Sequence, residues 1–94
     1  MYAVHVEMKI KSGEEAALVK TFHEFFRPAI SRQEGFKGVS LLKPFDGKGD
    51  YRLTIDFESR ELQQKWVAKD LHQDVWPRME SHAASCVIGY YNSV

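Results

Sequence analysis

From Tyr2 to Ile10 apolar and polar positions alternate: Tyr2, Val4, Val6, Met8 and Ile10 share one side, and Ala3, His5, Glu7 and Lys9 the other. A period of two predicts a strand with one buried face. The period then changes. After Ser12-Gly13-Glu14-Glu15, where Ser12 and Glu15 have the spacing of a capping box, Leu18, Phe22, Phe25, Phe26, Ala29 and Ile30 fall at offsets of 0, 4, 7, 8, 11 and 12. That is the stripe of an amphipathic helix, expected to run to about Gln33. Pro28 removes an amide donor inside it, so a kink or a division is expected near Glu24 to Pro28, with Gly35 as the stop.

Two further extended runs, Phe36–Pro44 and Tyr51–Glu58, flank Phe45-Asp46-Gly47-Lys48-Gly49-Asp50, whose Asp-Gly pair has hairpin-turn chemistry. In the second run Tyr51, Leu53, Ile55 and Phe57 alternate with Arg52, Thr54, Asp56 and Glu58. Ser59 then reads as a helix N-cap, with Glu61 complementing the dipole in the first turn and Leu62 and Trp66 on one face. Asp70 is placed to cap a second helical piece, in which Leu71, Val75 and Met79 repeat every four residues and which Pro77 is expected to kink or end. Ser85 to Asn92 reads as a last strand. The order β-α-β-β-α-β predicts an α+β, ferredoxin-like split βαβ sandwich: an antiparallel sheet with its helices on one face, in a single domain over residues 1–94.

Helices on one face leave the other open. His5, Glu7, Lys9, Arg52, Thr54 and Asp56 are expected there with Val39, Leu41, Ile88 and Tyr90, a mixture too apolar for free exposure and too charged for a simple core. A partner sheet resolves it. The expectation is a homodimer through this face, with His5, Glu7, Arg52 and Asp56 meeting their counterparts across a two-fold axis. A chain of 94 residues gains from a second copy, because a domain of this size buries only ~60–65% of the surface its unfolded state exposes.

Charge and composition narrow the classes. Thirteen basic and 13 acidic residues are interspersed, so nothing favours a nucleic-acid backbone or an anionic membrane as a partner. No apolar run approaches the ~20 residues of a membrane span. The one cysteine, Cys86, cannot form an internal bridge, which points to a reducing, cytoplasmic setting. It is expected to be buried and inert. No two histidines lie three or four apart, so no metal site is expected.

Four features carry a resemblance: the element order, the turn Gln33-Glu34-Gly35-Phe36-Lys37-Gly38, the run Leu53-Thr54-Ile55-Asp56-Phe57-Glu58-Ser59, and Trp66-Val67-Ala68-Lys69-Asp70-Leu71-His72. On these, nearly the whole chain resembles the antibiotic biosynthesis monooxygenase family. Its members are small dimeric α+β barrel proteins, among them cofactor-independent quinone-forming oxygenases and haem-degrading monooxygenases. The resemblance puts Trp66 at the pocket tryptophan of the haem-degrading members. Val6 and Trp76 stand where those members keep an asparagine and the iron-binding histidine, so neither haem nor another cofactor is expected.

The activity then implied is oxidation of a small aromatic substrate, phenolic, quinol or anthrone-like, by molecular oxygen. Such a substrate is its own reductant once deprotonated, so the site must hold a ring, take a proton and stabilise an oxyanion. Phe22, Phe25, Phe26 and Trp76 from the helices and Val4, Val6 and Phe57 from the sheet are expected to line the slot. His72 is the candidate base, its ordinary pKa being near working pH, and the Trp66 N–H and Tyr51 hydroxyl are candidate donors. On one unbroken helix His72 would lie about 120° from Trp66, so the two share a slot only if the chain breaks near Asp70. The competing expectation is a non-catalytic barrel that binds a small apolar ligand or serves only for assembly.

Overall fold

In the computed structural model, which describes residues 1–94, β1 (Tyr2–Ile10), β2 (Phe36–Leu42), β3 (Tyr51–Phe57) and β4 (Ala83–Asn92) form one antiparallel sheet. Their order is β2-β3-β1-β4. The alternation in β1 and β3 comes into phase on pairing: Val4 faces Ile55 and Val6 faces Leu53 across the ladder, making an apolar floor. Helices α1 (Glu15–Thr21), α2 (Arg27–Ile30), α3 (Arg60–Val67) and α4 (Asp70–Glu80) cover that floor. Met8, Leu18, Ile30, Leu53, Phe57 and Met79 are fully enclosed between the layers. This is a ferredoxin-like fold, with the helices on one face of the sheet.

Pro28 divides the first helix as expected. Between α1 and α2 the turn Phe22–Phe26 is π-helical, and the Arg27 N–H reaches back to the Phe22 carbonyl. The extra residue per turn takes up the disturbance just before the proline. The capping box at Ser12 does not form. Glu14 is the residue that precedes α1, no side chain caps the helix, and the Glu14 carboxylate instead meets His82 at 3.0 Å. Lys69, in extended conformation, precedes α4, so Asp70 is its first residue rather than its cap. Pro77 does not end α4, which continues to Glu80.

The faces of the edge strands differ from expectation. Val39 pairs with Ile55 and Leu41 with Leu53, while Ile88 pairs with Val6 and Tyr90 with Val4. All four therefore lie on the helix side. In β2 a register shift between Phe36 and Gly38 resets the phase. In β4 the adjacent pairs Val87-Ile88 and Tyr90-Tyr91 carry no alternation, so only pairing with β1 assigns them. The open face instead presents Ala3, His5, Glu7, Lys9, Ser40, Leu42, Arg52, Thr54, Asp56, Val87 and Tyr91. Glu7 and Arg52 are directly opposite in the ladder and bond at 2.6 Å within the sheet. His5 packs on the Tyr91 ring at 5.0 Å, not against Glu7 or Asp56.

Candidate functional site

The site is made by the interruption between α3 and α4. Ser59 starts α3, its hydroxyl accepting the Leu62 N–H at 3.3 Å, and this sets the rotation that turns Trp66 inward until it is 2% exposed. After Val67 the helix stops. Lys69 is extended (φ −80°, ψ 147°), and α4 starts at Asp70 in a new direction. The change of direction brings His72 back onto Trp66: the ring centroids are 5.1 Å apart with planes at 83°.

These two side chains border a cavity of about 200 Å³. Val4, Val6 and Ile55 form its floor, Phe26 and Trp76 stand on the helix side, and Ile88 and Tyr90 of β4 stand at its edge. Phe26 meets both tryptophans edge-on, at 6.4 Å from Trp66 and 6.2 Å from Trp76. No aspartate, glutamate, lysine or arginine lines the space. Burial away from water holds the His72 pKa below its ordinary value, which keeps the ring neutral at pH 7.

The polar atoms are few. No buried side-chain nitrogen or oxygen in the protein lacks a hydrogen-bond partner. The Trp66 indole N–H has no protein acceptor, so it keeps its access to the cavity. Gln63 is the one buried polar residue. Its Oε1 accepts from Gln64 at 3.0 Å, its amide nitrogen has no protein acceptor, and the residue lines the same space. His72 Nδ1 lies 3.2 Å from the Gln73 amide nitrogen, and Nε2 has no protein partner.

Of the residues expected in the slot, Val4, Val6, Phe26, Trp66, His72 and Trp76 line this cavity. Four do not. Phe22 and Phe57 are buried elsewhere in the core. Phe25 is exposed on the outer side of its helical turn, where the Arg78 guanidinium lies 4.5 Å above its ring. Tyr51 sits at the other end of the sheet beside Met8, too far along the strand to donate into the cavity. Gln63 was missing from the expected set, although its spacing of three from Trp66 places the two on one helix face. Ile55, Val67, Ile88 and Tyr90 complete the lining, the last two legible only once the register of β4 is known.

Haem does not fit these residues. Trp76 is half-buried at the place the resemblance gives to the iron-binding histidine, and an indole has no lone pair for iron. The imidazole that is present, His72, has Nδ1 on an amide rather than on the carboxylate or carbonyl that usually supports a metal-bound histidine. No group of three His, Cys, Asp or Glu side chains is placed to hold a metal ion. Cys86 is half-buried on the helix side, and burial and the nearby Glu80 push its thiol pKa up, away from the reactive thiolate.

The sequence profile described as antibiotic biosynthesis monooxygenase matches residues 1–77. No curated protein matches the chain by sequence. Among solved structures, a variant of SnoaB, a cofactor-independent oxygenase from Streptomyces nogalater, is similar with a TM-score of 0.86 at 13% identity, over 98% of this chain and 91% of that one. A conserved protein from Methanosarcina mazei Go1 superposes with a TM-score of 0.85 at 8% identity, over 99% and 92% of the two chains. A variant of MhuD, solved with two manganese protoporphyrin IX molecules per active site, gives 0.77 at 20% identity, over 100% and 95%. At these identities the likeness is one of fold.

Proposed function

The chain belongs to the antibiotic biosynthesis monooxygenase family, and from that premise we propose that it is a cofactor-independent monooxygenase acting on a small phenol or quinol. The observation that carries this is the meeting of Trp66 and His72, six residues apart, in one apolar cavity with no ionised side chain. The fold is also that of SnoaB, a cofactor-independent oxygenase. A cavity of about 200 Å³ is larger than the ~150 Å³ that accepts benzene and smaller than most ligand pockets. It suits one or two rings. A three-ring anthrone would extend past Ile88 and Tyr90 at the edge.

For a phenol the overall change is phenol plus O₂ to quinone plus water. The phenolate gives an electron to O₂, and the radical pair joins as a C–O bond, leaving a peroxide on the ring carbon opposite the phenolic oxygen. Loss of the proton on that carbon then breaks the O–O bond, giving the quinone carbonyl and water. The protein's part is to stack the ring against Phe26 and the tryptophans, stabilise the phenolic oxyanion with N–H donors and exclude bulk water. The active form is a homodimer through the open sheet face, the region around His5, Glu7, Arg52 and Asp56, in a cytoplasmic setting.

Oxygen uptake with one- and two-ring phenols that carry hydrogen on the carbon opposite the hydroxyl, without added metal, haem or flavin, tests the proposal. Saturable turnover is expected, with His72→Ala and Trp66→Phe each lowering kcat/KM by roughly 10²-fold or more. Quenching of tryptophan fluorescence by the same phenols with no oxygen uptake would replace it by the second reading, a ligand-binding barrel. The uninterrupted apolar lining of the cavity is the observation that favours that alternative.

A further inference from the structure

The same interruption that aims His72 also leaves a carbonyl without a helical partner. Val67 is the last residue of α3, and the last carbonyls of a helix have no amide one turn ahead. Gln73, one residue past His72, fills that vacancy: its side-chain nitrogen donates to the Val67 carbonyl oxygen at 3.1 Å. A carbonyl can only accept, so this contact fixes which end of the Gln73 amide is nitrogen. The same nitrogen lies 3.2 Å from His72 Nδ1, the partner for its second hydrogen. Nδ1 is thereby an acceptor. A neutral imidazole carries one proton, and it must sit on Nε2.

We propose that Gln73 is a positioning residue that holds His72 as the Nε2–H tautomer, so that the ring meets a substrate oxygen as a hydrogen-bond donor and not as a base. The assignment of the tautomer stands on geometry alone, whereas its role rests on the oxygenase reading of the cavity. Protonating the ring at Nδ1 would set an N–H against the Gln73 amide N–H, two donors with nothing to accept. Turning the amide over would free Nδ1 but would bring its oxygen against the Val67 carbonyl oxygen. The cavity then offers donors from Trp66, Gln63 and His72, with the imidazole lone pair already used. Such a site binds the phenolate form of a substrate. The phenolic proton passes to water at the open edge beside Ile88 and Tyr90, and the N–H groups lower the cost of losing it.

Two readouts test this on the full chain. Long-range proton–nitrogen NMR of the ¹⁵N-labelled protein at pH 8 reports the tautomer without reference to activity. In the wild type Nδ1 is expected to be the unprotonated nitrogen. In Gln73→Glu, whose carboxylate would accept from Nδ1–H, the unprotonated nitrogen is expected to be Nε2. A wild-type ring with a bare Nε2, or a tautomer that Gln73→Glu leaves unchanged, overturns the proposal. Oxygen uptake with 1-naphthol tests the role: His72→Gln, which keeps an N–H donor but no base, should retain at least tenfold more kcat/KM than His72→Ala. Gln73→Glu should lose tenfold or more. A His72→Gln variant as inactive as His72→Ala, or a faster Gln73→Glu enzyme, would make His72 the base and overturn the donor role. Absence of turnover in every variant, with the NMR result as expected, would count against the oxygenase reading and leave the tautomer assignment standing.

Discussion

Glu14 Oε1 lies 3.0 Å from His82 Nδ1 and the Thr21 hydroxyl 2.9 Å from Nε2, so this imidazole joins the start of α1, its last residue and the turn before β4. A carboxylate can only accept, so Nδ1 carries the proton and, in the neutral ring, Nε2 accepts from Thr21. That is the reverse of what the Gln73 amide imposes on His72. Two chemically identical side chains are set to opposite tautomers by one neighbour each. The His82 ring is mostly buried, whereas Glu14 is part-exposed and could recover water. His82→Ala should therefore cost about 1–3 kcal/mol, the loss of two part-buried hydrogen bonds. For a domain of this size each kcal/mol moves the melting temperature by ~4–8 °C. Calorimetry should find a fall of roughly 4–24 °C with oxygen uptake unchanged below it, since His82 does not line the cavity. A shift under 2 °C would mean the link carries no stability.

At the scale of elements, the features that build the site were legible because their causes are local. Ser59 caps α3 by its own hydroxyl, and the helix breaks close to Asp70 as the sequence suggested. Of the two outcomes expected at Pro77, a kink or an end, α4 does not end there, and the reason is not local. Its missing amide removes one bond of α4, but Val75 and Met79 on either side are buried in the core and hold the helix through it. Gly35 joins local and long-range causes. Its φ of +81° is what a glycine was expected to supply, and its carbonyl accepts the Glu58 N–H at 2.7 Å, tying the end of β3 to the turn before β2. No sequence pattern reveals its third role. A Cβ here would lie 2.5 Å from Leu62 Cδ1 and 2.9 Å from Leu62 Cβ, so α3 packs directly on the glycine. Rotating Leu62 relieves the first contact but not the second. Gly35→Ala should then cost about 2–4 kcal/mol, from the left-handed backbone and the overpacking together. Because α3 carries Trp66, activity should fall along with the melting temperature. A fully active variant melting within 3 °C of wild type would show that α3 can shift freely.

The whole molecule is a slab, 35 × 30 × 18 Å, with one layer of helices over one sheet. Its element order and covered face were readable because β1 and β3 alternate cleanly and sit at the centre. The edge strands were not, since the bulge in β2 and the apolar doublets of β4 leave phase to be decided by pairing. The membership of the site failed at the same scale: Tyr51 and Phe22 are apolar-face residues like Val4 and Phe26, and only the position along the sheet separates them from the cavity. The open face as it stands suits the expected dimer. Not one residue of β4 is buried, yet this ten-residue edge strand exposes Val87 at 67% and Tyr91 at 54% on the open side. A long apolar edge left bare invites pairing with another chain. Glu7 and Arg52 already neutralise one another within the sheet, so the open face presents little unbalanced charge to a second copy of itself. A stable interface buries ~1,600 Å² in total, about 800 Å² per protomer. That is a small share of the 5911 Å² exposed by one chain, and the open face of an extended slab can supply it. Sedimentation at micromolar concentration should therefore find a species of twice the 10.9 kDa chain mass. Val87→Arg should convert it to a monomer without unfolding the protomer, because Val87 is already exposed there and a cation opposite Glu7 is compatible with the ladder. A wild type that sediments only as single chains, or a Val87→Arg variant that stays dimeric, would move the interface away from this face.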